Sequence, residues 1–252
     1  MATYQLRPMS VGEILDGALT VMRQHFGLFF GLAVVCLGVP TVIDLSTTFS
    51  GEPNPGLSLL SRLLSAIGYL LLTGASVHVV SETYLQRTPQ FGAALRFARG
   101  KMGGLFIAGF AATLVTFLAM LALIIPGFIV FCGYSVYAQV VVLESLPSAT
   151  DALGRSWALT KGFKGKAFGL FLIMFVIFLV VVFGIGILTG VAEAVLPVLT
   201  IPAMILLAVL ILFIYPFSSC VLTLFYYDLR VRKEALDLEL LGQQIGMSQT
   251  AS

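Results

Sequence analysis

Long uncharged apolar runs alternate with short polar segments along this chain, and the runs have the length of membrane crossings. A spanning helix needs about 20 apolar residues. The candidate stretches are 26–43, 57–80, 104–125, 128–143, 167–188 and 196–226. Pro40 sits near the outer end of the first, where a kink is tolerable. Pro126-Gly127 is the predicted hinge between the third and fourth, Pro restricting the residue before it and Gly permitting a positive φ. So short a connection makes those two spans antiparallel neighbours. The last stretch exceeds one crossing. Pro202 and Pro216 are expected to break or bend it, and its final turns to extend beyond the bilayer.

The segments before the first, third and fifth spans carry a different pattern, that of short amphipathic helices. Ser10-Val-Gly-Glu13 is a capping box, followed by an apolar stripe of Val11, Ile14, Leu15, Ala18, Leu19 and Met22. Thr88-Pro89 reads as an N-cap with Pro at the first helical position, ahead of Phe91, Ala94, Leu95, Ala98 and Met102. Ser148-Ala-Thr-Asp151 opens the third, with Leu153 and Trp157 on one face. Each leads into a similar start: Phe26-Gly-Leu-Phe29, Gly103-Gly-Leu-Phe106 and Phe168-Gly-Leu-Phe171. The predicted unit is an interfacial helix plus a two-helix hairpin, occurring three times. Residues 227–246 read as a charged helix with i,i+4 pairs Asp228–Arg232, Arg230–Glu234 and Lys233–Asp237. It would lie on the membrane or pack against the interfacial helices. The fold class is therefore an all-α polytopic membrane protein, one domain of six transmembrane helices with cytoplasmic-side interfacial helices.

Charge orients this plan. Arg7 and Arg23, then Arg87, Arg96, Arg99 and Lys101, then Arg155, Lys161, Lys164 and Lys166, and finally Arg230, Arg232 and Lys233 form four clusters separated by pairs of spans. Cytoplasmic segments retain Lys and Arg, so both termini are predicted to be cytoplasmic. Arg62 alone stands outside the scheme, just inside the outer end of the second span, where it would snorkel to the headgroups or hold a phosphate. The interfacial helices would form a collar at the inner leaflet, their apolar stripes in the acyl boundary and Arg96, Arg99, Lys161, Lys164 and Lys166 toward anionic headgroups.

Composition agrees: the chain is 59% hydrophobic and 10% charged, against about 25% charged in a soluble domain. A net charge of +2 confined to one side is an orientation signal, and no nucleic-acid partner is expected. Cys36, Cys132 and Cys220 lie inside apolar runs without CxxC spacing and read as small hydrophobes. No cleavable signal peptide is expected, since Glu13 and Asp16 interrupt the first 25 residues.

Candidate chemistry is sparse. His78 and Glu82 share a face at the inner end of the second span. With His25 they would be a metal site; otherwise they are ordinary residues at the water boundary. Glu13 and Asp16 would form a carboxylate pair, or simply the acidic first turn that complements a helix dipole. Asp44, Glu52 and Glu193 on the outer side are scattered. Gly184, Gly186 and Gly190 would allow close helix packing or a loosened helix end. HExxH, GxSxG, GxxxxGK[ST] and CxxC are absent from the sequence. No catalytic residue, cofactor or metal is expected.

Leu6-Arg-Pro-Met-Ser-Val-Gly-Glu-Ile-Leu-Asp-Gly-Ala18, Pro126-Gly127, Ala152-Leu153 with Ser156-Trp157, and Tyr227-Asp-Leu-Arg-Val-Arg-Lys-Glu234 resemble the glycerophosphoryl diester phosphodiesterase membrane-domain family, over about residues 5–241. Some members fuse this domain to a catalytic barrel with histidine and acidic metal ligands. Neither His25 nor His78 stands in a His-Arg dipeptide, so no barrel and no activity are carried over. The resemblance implies a stand-alone bacterial plasma-membrane domain. The sequence leads to three functional expectations. The first is a non-catalytic module binding a membrane or cytoplasmic protein partner, or lipids, at the inner leaflet. The second is a carrier or channel for a lipid-like or small solute, for which Thr73, Ser76, His78, Thr113, Thr116 and Tyr134 would have to converge on a polar path. The third is an intramembrane enzyme resting on His78 and Glu82. Oligomeric state is left open.

Overall fold

The computed structural model of the protein describes residues 7–50, 54–195 and 197–234. They form α1 (Val11–Gln24), α2 (Phe26–Ser50), α3 (Pro55–Tyr84), α4 (Phe91–Ala122), α5 (Ile124–Gly133), α6 (Tyr137–Leu143), α7 (Asp151–Thr160), α8 (Lys164–Val195) and α9 (Thr200–Glu234), with a 3-10 turn at Pro197–Leu199. There is no strand among the described residues. Six segments are long and apolar enough to cross a membrane: α2, α3, α4, α5 with α6, α8, and α9. The protein is thus an all-α polytopic membrane protein. Half of the most apolar window across α5 and α6 is buried, and 44% of that in α3, against 11% in α8 and 17% in α4. The first two therefore stand at the centre of the bundle, and α8 and α4 face lipid.

The short helices depart from the expected collar. α1 begins at the predicted capping box, Ser10 Oγ accepting from Glu13 N–H and Glu13 Oε2 from Ser10 N–H. Its stripe of Ile14, Ala18 and Val21 is fully buried against α9 rather than in the acyl boundary. The cause is the length of α9, which runs on past the apolar region and offers Val221, Leu224 and Phe225 as a dry partner surface. The C-terminal turns thus take the packed alternative. Lys233–Asp237 and the rest of the predicted 227–246 helix beyond Glu234 lie outside the described residues.

The second interfacial helix is not separate. Phe91–Ala122 is one continuous helix, N-capped by Gln90, with Thr88-Pro89 ahead of it. Gly103 and Gly104 weaken helix propensity, but no proline or cap interrupts the path. The first unit breaks at His25, between α1 and α2, and the third turns at Gly162 (φ +89°), a conformation that glycine adopts without cost. Likewise Pro126-Gly127 is not the hinge. The turn is at Leu123, and Pro126 occupies the first turn of α5, where a missing N–H costs nothing. Gly127 serves close approach, since a Cβ there would overlap the Met120 backbone. Neither Pro202 nor Pro216 interrupts α9: the first lies in its opening turn and the second is accommodated inside the helix. Gly184, Gly186 and Gly190 sit in an unbroken helix with nothing within 4 Å of a Cβ, so they mediate no close packing.

The fourth span is broken between Gly133 and Tyr137, and α7 mends it. Ser156 and Thr160 donate to the Gly133 carbonyl at 2.9 and 3.0 Å, and Val136 N–H donates to Ser156 Oγ at 3.3 Å. Backbone freed inside a membrane bundle persists only when repaired in this way. Thr160→Val is expected to cost about 1 kcal/mol, and Ser156→Ala more because it also strands Val136 N–H. Thermal unfolding in detergent checks both.

Candidate functional site

The two ends of the bundle differ in how they use charge. At the basic end, Asp228 on α9 has no solvent exposure and accepts from Met9 N–H (2.7 Å), Arg232 Nε (2.9 Å) and Lys166 Nζ (2.5 Å). Lys166 Nζ and Arg232 Nη2 also donate to Met9 O. This knot ties the segment before α1 to the start of α8 and the end of α9. A second knot alternates charges: Glu144 with Arg155 (2.9 Å), Arg155 with Glu234 (2.5 Å), Glu234 with Arg230 (2.5 Å), and Arg230 with Glu144 (3.8 Å). Tyr226 donates to Glu144 at 2.8 Å. Sequence spacing shows Asp228–Arg232 and Arg230–Glu234 but neither Lys166 nor Glu144, because Lys166 is 62 positions from Asp228 and Glu144 is 82 from Tyr226.

The candidates drawn from the sequence are dispersed. His78 stacks on Phe97 of α4, ring centroids 4.4 Å apart, and Glu82 pairs with Arg87 at 3.5 Å. His25 lies between α1 and α2, where burial holds its pKa below the ordinary histidine value. No three His, Cys, Asp or Glu side chains among the described residues group as a metal site. Glu13 turns back to the helix start and pairs with Arg7. Hydrogen bonds from Ser10 and Arg7 hold its carboxyl at about 2. Asp16 points away, exposed. The three cysteines are free and buried.

Of the residues placed toward headgroups, Arg96, Arg99 and Lys161 are exposed and make no ion pair among the described residues. Lys164 lies over the Trp157 ring at 3.1 Å. Lys166 turns inward to Asp228. Arg23 and Lys101 are also without an ion pair among the described residues. Lys101 lines a polar recess of about 370 Å³ with Ser145 and Ser148.

The opposite end holds a cleft of about 610 Å³ between α2, α3 and α9. Asp44 and Arg62 line it together with Thr41, Thr48 and Ser65. Deeper in, the lining is Leu37, Leu207, Ile211 and Leu212, with Tyr69 and Tyr215 in an edge contact at 5.6 Å. Thr73, Ser76, His78, Thr113, Thr116 and Tyr134 do not line it. Asp44 and Arg62 looked unrelated in sequence, yet a signal was present. Each stands six or seven residues from the turn joining α2 to α3, so an antiparallel hairpin sets them at one height. Tyr215 comes from a distant helix and carried no such mark.

Comparisons with known protein families, with curated proteins and with solved structures find no match.

Proposed function

We propose that the protein is a non-catalytic membrane module whose basic end binds anionic lipid headgroups at the cytoplasmic leaflet of a bacterial plasma membrane, with both termini on that side. One observation carries the reading. At this end Glu13, Glu82, Glu144, Asp151, Asp228 and Glu234 are engaged within the protein and Asp16 is the one described acid left exposed without an ion pair, whereas five cations, Arg23, Arg96, Arg99, Lys101 and Lys161, are left over. The surface is therefore more positive than the composition suggests, and each spare cation near an anionic leaflet is worth about 1 kcal/mol. The polar groups that would serve catalysis have structural employment: His78 on Phe97, Glu82 with Arg87, Glu13 at its cap. The resemblance to a membrane domain found fused to enzymes fits a module rather than an enzyme.

The test is extraction into native nanodiscs, followed by mass spectrometry of retained lipid. The Arg96→Gln, Arg99→Gln, Lys161→Gln variant is expected to lose most of the enrichment in phosphatidylglycerol and cardiolipin that the wild type shows. Equal lipid profiles would overturn the reading, as would a stoichiometric protein partner lost with the same substitutions. A second reading, a carrier for a lipid-like solute, is favoured only by the cleft at the other end.

A further inference from the structure

We infer that the cleft between α2, α3 and α9 binds a zwitterionic phospholipid of the phosphoethanolamine class, its phosphate on Arg62, its ammonium on Asp44, and one acyl chain along the apolar wall below. The site is separate from the basic end and does not depend on it.

Three observations converge. The first is charge. Asp44 and Arg62 line one cleft at one height, yet they make no ion pair with each other or with any other described residue. Both side chains are exposed, and two opposite charges held apart at one height suit a ligand that carries both signs. A guanidinium presents a planar fork to phosphate oxygens, while a carboxylate accepts from an ammonium. The second is depth. Asp44 is 18 residues beyond Phe26, about 27 Å along the helix. That is close to the roughly 30 Å of the hydrocarbon layer, so the charges sit where headgroups meet acyl chains. The third is the lining. Seven residues further in, the walls become Leu37 and Tyr69, joined by Leu207, Ile211 and Tyr215. Tyr69 and Tyr215 keep 47% and 40% exposure, so the cleft is open enough at that depth for a chain to lie against them. A volume of about 610 Å³ falls in the usual range of about 300–1,000 Å³ for ligand sites. A soluble zwitterion would leave this apolar length unused.

The experiment titrates the detergent-purified full chain with phosphatidylethanolamine and with phosphatidylglycerol and reads bound lipid by native mass spectrometry. The wild type is expected to prefer phosphatidylethanolamine by about tenfold, the worth of one charge-assisted hydrogen bond. Asp44→Asn should erase the preference and leave phosphatidylglycerol binding intact. Arg62→Gln should weaken both lipids by about tenfold or more, with partial recovery in Arg62→Lys. Neither side chain has a described partner, so unfolding temperatures should stay at the wild-type value, and binding loss is then not misfolding. The Arg96, Arg99, Lys161 variant should bind as the wild type does at this site. The proposal is overturned if the wild type shows no preference, if Asp44→Asn keeps it, or if Arg62→Gln binds normally. Displacement of the lipid by free O-phosphoethanolamine at equal concentration would also overturn it, in favour of a soluble zwitterion.

Discussion

Asp228→Ala is expected to be the most damaging single substitution outside the apolar core, costing about 3–5 kcal/mol. The carboxylate has no exposure, and its side chain receives a backbone N–H and two cations. Its removal leaves Lys166, only 14% exposed, as an uncompensated charge beside the Met9 carbonyl. It also frees the segment that leads into α1. Lys166→Met should cost distinctly less, because Asp228 keeps Arg232 and the Met9 N–H. Unfolding rates in detergent at fixed temperature are the suitable measure, since membrane proteins seldom unfold reversibly. Equal effects of the two substitutions would contradict the assignment of Asp228 as the centre of the knot.

Gly68→Val is expected to cost about 3 kcal/mol, at the upper end of overpacking penalties. A Cβ at Gly68 would run into the Cys36 carbonyl and come within 3.0 Å of Leu37 Cδ2, so α2 and α3 touch through backbone at this crossing. Small residues at helix contacts do this work in membranes, where apolar burial adds no drive between helices. Backbone cannot move aside as a flexible side chain can, so the two helices must separate. The shift would also displace Leu37, a wall of the outer cleft. Gly92 and Gly103 provide the contrast. Nothing lies within 4 Å of a Cβ at either, and Ala there should be neutral or stabilising by about 0.5–1 kcal/mol. Thermal unfolding of the three variants checks the pattern, and a tolerated Gly68→Val would refute the close crossing.

Two kinds of position resisted reading. Pro126-Gly127 carries a turn signal, yet the turn lies at Leu123, because proline fits the first turn of a helix as well as it ends one. The stripe of α1 has the periodicity of a membrane-surface helix. Periodicity shows that a face is covered without showing whether lipid or protein covers it. Lys166 shares its sequence neighbourhood with lipid-facing cations, but its partner Asp228 comes to it only through the packing of α8 on α9.

The sequence by itself determined the helical class, the six crossings, the capped start of α1 and the segregation of every Lys and Arg but Arg62 to one side. Each of these depends on local composition or spacing, and a bilayer imposes them on any chain of this pattern. Tertiary structure alone decided which short helices stand free, which cations are spare, and that Asp44, Arg62, Tyr69 and Tyr215 share one cleft. Those outcomes depend on which helices become neighbours, and that follows from side-chain fit between segments far apart in the chain.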